Sequence, residues 1–257
     1  MYNFKLVNAD TDSIMVCKEN GELFSVEEQQ ALIGELNNMF PEHINWDEDG
    51  YFSSVVVIKA KNYVLKEHET NKIKIKGSGL KDSKKEFAMR EMMSKIVEAL
   101  LNHEIDKIQE IYESYIKEAI LVKDIMRWSQ KKTVTESVLN CANGEGRKNE
   151  MDVYKAIENE TVQAGDKIYL YPVIFGTEVI PGGISEKTGK PLKDKTVEIT
   201  GLKLAQNWSN DHDVDKLLDR VYATIKIFKS VIDINQFVDY TKKSNHELLK
   251  QLKRNIL

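Results

Sequence analysis

The alternation of apolar and polar residues predicts a short β-hairpin at the start of the chain. Apolar residues flank a polar stretch at 8–13 on both sides, with Phe4, Leu6 and Val7 before it and Ile14, Met15 and Val16 after it. Within this stretch, Asn8 and Asp10 favour turns because their side chains can hydrogen-bond to the nearby backbone. We therefore predict two short strands joined by a tight turn.

An amphipathic helix is predicted at 26–39. Ser25 is followed three residues later by Glu28, which is the spacing of a capping box at the start of a helix. Apolar residues then recur at helical spacing, at Leu32, Ile33, Leu36, Met39 and Phe40. Pro41 ends the pattern, because proline does not continue a helix.

Three β-strands are predicted at 51–58, 61–66 and 72–76. In the last of them the alternation is strict, so that Ile73 and Ile75 share one face and three lysines share the other. The lysine row has two interpretations. It binds an anion, or it protects an edge strand from pairing with another chain.

The rest of the chain is predicted to be mostly helical. Gly77-Ser78-Gly79 is a flexible break, and Ser83-Lys84-Lys85-Glu86 is a second capping box that opens a helix running to about Leu101. Further helices are predicted at 104–122, at about 213–231 and at 233–252, and a strand at 167–174 lies in a non-helical interruption at 160–205. The predicted fold class is α+β, with a domain boundary near Gly77–Asp82.

Composition allows a folded core and gives no sign of export. The chain has 257 residues, of which 41% are hydrophobic and 30% are charged. It has no apolar run of membrane-spanning length and no secretory signal. Cys17 and Cys141 cannot form a disulfide framework and fit a reducing compartment, and the five histidines lack zinc spacing. These features predict a cytoplasmic protein without a membrane partner.

Charge is distributed unevenly along the chain, although the net charge is only −4. Residues 1–50 hold eleven acidic residues against two lysines, whereas residues 59–85 hold nine lysines against three acidic residues. A basic block of this kind attracts phosphates even in an acidic protein. Residues 59–85 therefore contain candidate nucleic-acid contacts.

The hairpin turn carries the candidate chemistry, because Asp10 and Asp12 lie one residue apart in it. Mg²⁺ prefers oxygen ligands and is often held by one or two carboxylates together with substrate phosphates. In two-metal phosphoryl transfer, such ions clamp the attacking and leaving oxygens. The alternative is a solvated turn with local hydrogen bonds and no metal.

Three motifs, in this order, make the chain resemble the C-terminal part of a family B (α-like) DNA polymerase. Asn8-Ala9-Asp10-Thr11-Asp12-Ser13 resembles the family's Tyr-Gly-Asp-Thr-Asp-Ser motif, and Lys59-Ala60-Lys61-Asn62-Tyr63 resembles its Lys-Lys-x-Tyr motif. Lys74-Ile75-Lys76-Gly77 resembles the strand that joins the palm to the thumb, and Gly165 to Tyr169 has a counterpart within the thumb. The resemblance implies a partial antiparallel palm sheet with a packed helix at 1–80. It also implies a mainly helical thumb with a small β insertion at 81–257.

The chain departs from the family pattern in two places and lacks other parts of it. Asn8-Ala9 replaces Tyr-Gly, and Ala60 breaks the Lys-Lys pair. The family's other metal-binding aspartate, its nucleotide-binding helix and its exonuclease domain lie upstream of the first motif, where only seven residues precede Asn8. The resemblance thus implies either a second chain carrying exonuclease, fingers and remaining palm, or a fragment. The start at Met1 favours a naturally split, phage-type polymerase in a host cytoplasm.

By this resemblance, the hairpin aspartates hold the metal. Asp12 bridges two Mg²⁺ ions together with an aspartate of the partner chain, and Asp10 is an auxiliary ligand. One ion activates the primer 3′-hydroxyl, and the other holds the triphosphate of the incoming dNTP.

The resemblance also assigns DNA contacts to the basic block. Lys61, Tyr63 and Lys74 would face the minor groove of the primer–template duplex, where every base pair offers acceptors. Lys59 and Lys76 would contact phosphates, which add affinity without sequence information.

Two further features have a functional and a simpler interpretation. Lys131 and Lys132 either grip backbone phosphates or form a solvated basic turn. The basic tail at 251–257 either binds a sliding clamp, as in members of the family, or is a terminal helix turn. For the whole chain, the alternatives to a polymerase half are a non-catalytic module that clamps duplex DNA and a structural subunit of another assembly.

Overall fold

The structure is a computed structural model and describes residues 4–81, 85–184, 187–191 and 193–256. It confirms the α+β class, with small antiparallel sheets and α-helices. Residues 1–82, 95–108 and 227–233 group into one compact unit, and residues 83–94, 109–226 and 234–257 into a second. The palm at 1–80 and the thumb at 81–257 stay predictions.

The N-terminal elements follow the predicted order closely. They are β1 (Phe4–Ala9), β2 (Ile14–Lys18), α1 (Val26–Met39), β3 (Phe52–Lys59), β4 (Asn62–Glu67) and β5 (Ile73–Lys76). The capping box at α1 is present, because Glu28 N–H donates to Ser25 Oγ at 3.3 Å and Ser25 N–H donates to Glu28 Oε2 at 2.7 Å.

Two antiparallel sheets belong to the first unit. One is the β1–β2 hairpin, and the other has the strand order β3-β4-β5. Ile58, Val64 and Leu65 of the second sheet are buried. The hydroxyl of Ser230 donates to the carbonyl of Ile58 at 2.6 Å, so the segment 227–233 is tied to the end of β3.

The second unit contains one antiparallel sheet packed against helices. The remaining α-helices and strands are α2 (Phe87–Leu101), α3 (Asp106–Ile120), β6 (Gln130–Thr133), α4 (Glu136–Leu139), α5 (Lys148–Ile157), β7 (Lys167–Ile180), β8 (Lys195–Leu204), α6 (Val214–Lys226) and α7 (His246–Ile256). The end of α2 and the start of α3, within 95–108, belong to the first unit, and the rest belong to the second. Leu170 and Leu204 of the sheet join Val138, Val153 and Ile157 in one buried cluster. Among the described residues, every helix is too short or too polar to cross a bilayer.

The predicted helix at 233–252 is wrong over most of its length, because α7 begins only at His246. The side chain of Asp239 accepts hydrogen bonds from the N–H of Thr241 at 3.1 Å and from its hydroxyl at 2.6 Å. The Asn245 amide donates to the Asp239 carbonyl at 2.8 Å. These local bonds satisfy the backbone in a turn and compete with the helix.

The β insertion is larger than the predicted strand at 167–174. Strand β7 continues to Ile180, and it pairs with β8 and with β6, neither of which was predicted. The helix predicted to open at Ser83 begins at Phe87, and its predicted capping box includes Ser83 and Lys84, which lie outside the described residues.

Candidate functional site

The two aspartates lie at the tip of the β1–β2 hairpin. The backbone N–H of Asp10 donates to the carbonyl of Ser13 at 2.9 Å and closes the turn. Thr11 and Asp12 are therefore the two residues at the apex. Because a two-residue loop is short, both carboxylates are presented beyond the ends of the strands.

Asp10 is held by its neighbours, whereas Asp12 is exposed. Asp10 Oδ1 accepts the N–H of Thr11 at 2.9 Å and its hydroxyl at 3.3 Å, and the ammonium of Lys61 lies 3.5 Å away. The Thr11 N–H, followed by the charge of Lys61, lowers the pKa of Asp10 below its usual value. Within the described ranges, the carboxylate of Asp12 has neither a hydrogen bond nor an ion pair.

Lys61 reaches Asp10 from the tip of a second hairpin. Lys59 of β3 pairs with Asn62 of β4, so that Ala60 and Lys61 form a two-residue loop. Lys61 has a φ of 59°, in the left-handed region that residues other than glycine seldom occupy. Neighbouring contacts must therefore hold this turn.

Asn62 supplies such a contact, which the sequence patterns did not predict. Its side-chain amide donates to the carbonyl of Ala60 at 3.0 Å, and its Oδ1 accepts the N–H of Gly79 at 3.2 Å. Gly77 has a φ of +104°, and a Cβ there would overlap Asn62 Oδ1 and lie 2.5 Å from the carbonyl oxygen of Lys61. The segment predicted as a flexible break thus packs tightly under the Lys61 turn. The two closely spaced glycines after β5 were the available signal.

Three of the predicted DNA-contact residues share one face of the β3-β4-β5 sheet. Tyr63 pairs with Lys76, and Leu65 pairs with Lys74. Residues directly opposite each other in antiparallel strands point to the same face, and positions two apart along a strand do so as well. Tyr63, Lys74 and Lys76 therefore form a row, which we call the Tyr63 face.

Lys74 is already partly engaged on this face. Its ammonium lies 2.6 Å from Glu67 Oε1 and 5.6 Å from the ring centroid of Phe52. The hydrogen bond between the two side chains raises the pKa of Lys74 and lowers that of Glu67. Both groups are exposed to solvent screening, so the pair orients the lysine more than it stabilises the fold.

The structure therefore brings Asp10 and Lys61 together, and groups Tyr63, Lys74 and Lys76 on a single face. It does not bring Asp12 to a side-chain partner within the described ranges. Lys59 is not on the Tyr63 face, because it pairs with Asn62. Its ammonium lies near Gly79 instead, 3.8 Å from where a Cβ added to that glycine would be.

The hairpin tip fits a divalent cation only in part. Two carboxylates have the right chemistry for Mg²⁺, which takes oxygen ligands. However, the described residues contain no group of three or more His, Cys, Asp or Glu side chains that could hold a metal. The ammonium of Lys61 also lies beside one oxygen of Asp10 and repels a cation there. Further ligands from outside the described residues would be needed.

The candidate contacts of the second unit lie on strand β6 and helix α7. Lys131 and Lys132 are exposed strand residues, opposite Tyr169 and Ile168 of β7, so they do not form a basic turn. In the predicted tail, residues 251–256 belong to α7, and Leu257 lies outside the described residues.

Comparisons with known proteins point to one family. The sequence model of DNA polymerase family B matches residues 1–237. No curated protein matches the chain. Among solved structures, the family B DNA polymerase from the hyperthermophilic archaeon Pyrobaculum calidifontis is similar, with 15% sequence identity and a TM-score of 0.60. The match covers 89% of this chain but only 27% of the archaeal chain.

Proposed function

The chain belongs to DNA polymerase family B, and on that premise we propose that it is a subunit or fragment of a template-directed DNA polymerase. It supplies the Asp-Thr-Asp hairpin and a duplex-gripping thumb at 81–257. The observation that carries the proposal is the meeting of two family motifs at their tips, where Lys61 Nζ lies 3.5 Å from Asp10 Oδ1. The chain spans 27% of the length of the similar archaeal polymerase, so we propose the whole activity only for an assembly that also holds the remaining polymerase parts.

In this proposal, Asp12 is the principal metal ligand and Asp10 the auxiliary one. Asp12 is exposed at the apex of the turn, where its oxygens can join ligands from another polypeptide. Asp10 keeps its charge because the Thr11 N–H and Lys61 favour the ionised form, which its lowered pKa reflects. Two bound Mg²⁺ ions would supply activation of the primer hydroxyl and charge neutralisation at the triphosphate.

The Tyr63 face and the Lys61 turn are the proposed duplex contacts. A tyrosine and two lysines in one row present donors that suit the acceptors of the minor groove and the phosphates beside it. Lys74 is oriented by Glu67, and Lys61 by Asp10. Lys59 would reach a phosphate from the other side of the turn.

Primer extension tests the catalytic role of Asp12. The chain is mixed with the polypeptide that carries the upstream palm motifs, and Mg²⁺-dependent extension of a labelled primer is measured. Asp12→Ala should reduce the rate by about 10³-fold or more, because transition-state charge loses its stabilisation. Glu19→Ala removes an exposed carboxylate beyond the opposite end of β2 and should extend normally. Extension that survives Asp12→Ala would exclude Asp12 as a metal ligand.

A non-catalytic module that only clamps duplex DNA is the second candidate. It is favoured by the ammonium of Lys61, which lies beside Asp10 where a metal ion would bind. It is also favoured because the described residues offer no group of three metal-ligating side chains. This candidate predicts salt-sensitive binding of primer–template DNA without extension in any mixture. The same extension assay therefore separates the two candidates.

The proposed protein partners are the upstream part of the polymerase and a sliding clamp. The upstream exonuclease, fingers and remaining palm come from a second chain of a split, phage-type polymerase, or from the same polypeptide where this chain is a fragment. The basic α7 end at 251–257 is a proposed sliding-clamp contact, and the proposed compartment is the host cytoplasm. Copurification with the clamp, tested with and without residues 251–257, addresses the tail directly.

A further inference from the structure

Asn62 is a buried polar residue at the start of β4. It is only 8% exposed, whereas the three residues that precede it, at 59–61, are exposed. Asparagine is depleted in strands, and a buried amide costs free energy unless its polar atoms are hydrogen-bonded. An amide at this position must therefore be held by specific partners.

The amide of Asn62 joins two separate segments of the first unit. Its Nδ2 donates to the carbonyl of Ala60 at 3.0 Å, within the turn that carries Lys61. Its Oδ1 accepts the N–H of Gly79 at 3.2 Å, within the segment 77–80 that follows β5. An apolar residue would leave both of these backbone groups without this partner, which is costly where water is excluded. One side chain thus fastens the turn to the segment 77–80.

Two lysines depend on this link for their placement. Lys61 has a φ of 59°, and the bond from Asn62 to the Ala60 carbonyl fixes the peptide that precedes it. Lys59 lies over the other end of the link, because its ammonium is 3.8 Å from where a Cβ added to Gly79 would be. Both lysines are exposed, and the side chain of Lys61 is 75% exposed. Their backbones are therefore anchored while their ammonium groups stay open to a ligand.

We propose that Asn62 is a positioning residue for duplex binding, which acts by holding Lys59 and Lys61 in place. The inference rests on the proposed function, since that function assigns both lysines to primer–template DNA. A flexible turn would lose conformational freedom on binding, whereas a turn that is already held loses less. Because Ala60 stands beside Lys61, a single lysine lies in the two-residue loop, and no neighbour there can replace it.

The salt dependence of DNA binding tests this role, because Asn62→Ala removes no charge. Binding of the full chain to labelled primer–template DNA is measured by fluorescence anisotropy over a salt series. Asn62→Ala should weaken binding by about tenfold and reduce the slope of log K against log salt by about one, as displaced lysines release fewer counterions. The matched control is Asn102→Ala, because Asn102 accepts the ammonium of Lys66 on the opposite face of the sheet. It should leave the slope unaltered.

A combined variant separates positioning from a general effect on the fold. In a chain that already carries Lys59→Gln and Lys61→Gln, Asn62→Ala should change neither the affinity nor the slope further, since residues that act through one another are not additive. Urea denaturation of each variant establishes that it is folded. Asn62→Ser, whose shorter side chain does not span both partners, takes the place of Asn62→Ala if alanine unfolds the chain.

The outcomes distinguish this inference from the function on which it rests. A smaller slope for Asn62→Ala that disappears in the combined variant supports positioning. If Lys59→Gln and Lys61→Gln reduce the slope but Asn62→Ala does not, the duplex contact stands and the positioning role is overturned. An equal loss of affinity with and without the two lysines assigns Asn62 to fold stability alone and also overturns it. If neither lysine substitution alters the slope, the proposed duplex contact of this turn is itself wrong, and the positioning role is overturned with it.

Discussion

At the scale of single residues, Gly77 fixes the geometry of the Lys61 turn. Its φ of +104° is in the region that favours glycine, and a Cβ would overlap Asn62 Oδ1. Gly77→Ala should therefore lower the free energy of unfolding by about 1–3 kcal/mol, measured by urea denaturation. The control is Gly34→Ala within α1, where an added Cβ meets nothing within 4 Å. Because alanine favours helix, this change should stabilise by up to about 1 kcal/mol. If the two changes alter the free energy of unfolding equally, the close packing of Gly77 against Asn62 does not stabilise the fold.

The charge of Asp10 gives a second prediction at this scale. Lys61→Ala should raise the pKa of Asp10 toward 3.8, but only in part, because the larger influence, the Thr11 N–H, remains. Since the folded-state pKa is lowered, any stabilisation by Asp10 is present above pH 3.8 and is lost as pH falls through the lowered value. Carboxyl chemical shifts in an NMR titration report this pKa. The hydroxyl of Thr11 has the smallest influence on this pKa, so Thr11→Val should move the pKa less than Lys61→Ala does. If Lys61→Ala leaves the pKa of Asp10 unchanged, the side chains of Lys61 and Asp10 do not contact each other in solution.

At the scale of elements, the two faces of the β3-β4-β5 sheet predict different responses to DNA. Lys76 belongs to the Tyr63 face, whereas Lys66 pairs with Ile73, lies on the opposite face and donates to Asn102 Oδ1 at 2.9 Å. Lys76→Gln should weaken binding of primer–template DNA and reduce the slope of log K against log salt by about one. Lys66→Gln, with the same charge change, should leave the slope unaltered. Fluorescence anisotropy across a salt series measures the affinity and the slope for each variant. If the two variants give equal slopes, the lysine row protects the edge of the sheet and does not bind DNA.

The elements also show which parts of the fold the sequence could predict. Helix α1 and strands β1 to β5 follow from local patterns, because their caps and alternation lie within a few residues. The helix predicted at 233–252 is wrong over most of its length, because Asp239 makes hydrogen bonds with Thr241 and Asn245 that hold a turn. The spacing of apolar residues carries no information about such bonds. The contact of Lys61 with Asp10 joins residues that are far apart in the sequence, and only the family resemblance grouped their motifs. Asn62 had no signal of its own, since its role depends on Gly77 and Gly79 folding beneath it.

At the scale of the whole molecule, burial is divided very unequally along the chain. No residue from Phe4 to Val57 is buried, whereas α2 and α3 together contribute many of the buried apolar residues, among them Met92, Ile96, Ile108, Tyr112 and Ile116. Local stability follows buried apolar contact, because opening a segment without such contact exposes little new surface. Residues 4–57, including α1, should therefore unfold locally without the unfolding of α2 and α3, unless another surface covers them.

Hydrogen exchange of the isolated chain measures this difference. Amides of α1 should exchange faster than those of α2 by about 100-fold or more, although both are well-formed helices of similar length, because only α2 opens with the core. The comparison within one sample controls for pH, temperature and labelling time. If α1 is protected as strongly as α2 in the chain alone, residues 4–57 share the cooperative unit of the core. The β1–β2 hairpin would then not require a partner for its stability, and its aspartates would be held rigidly before any other polypeptide binds.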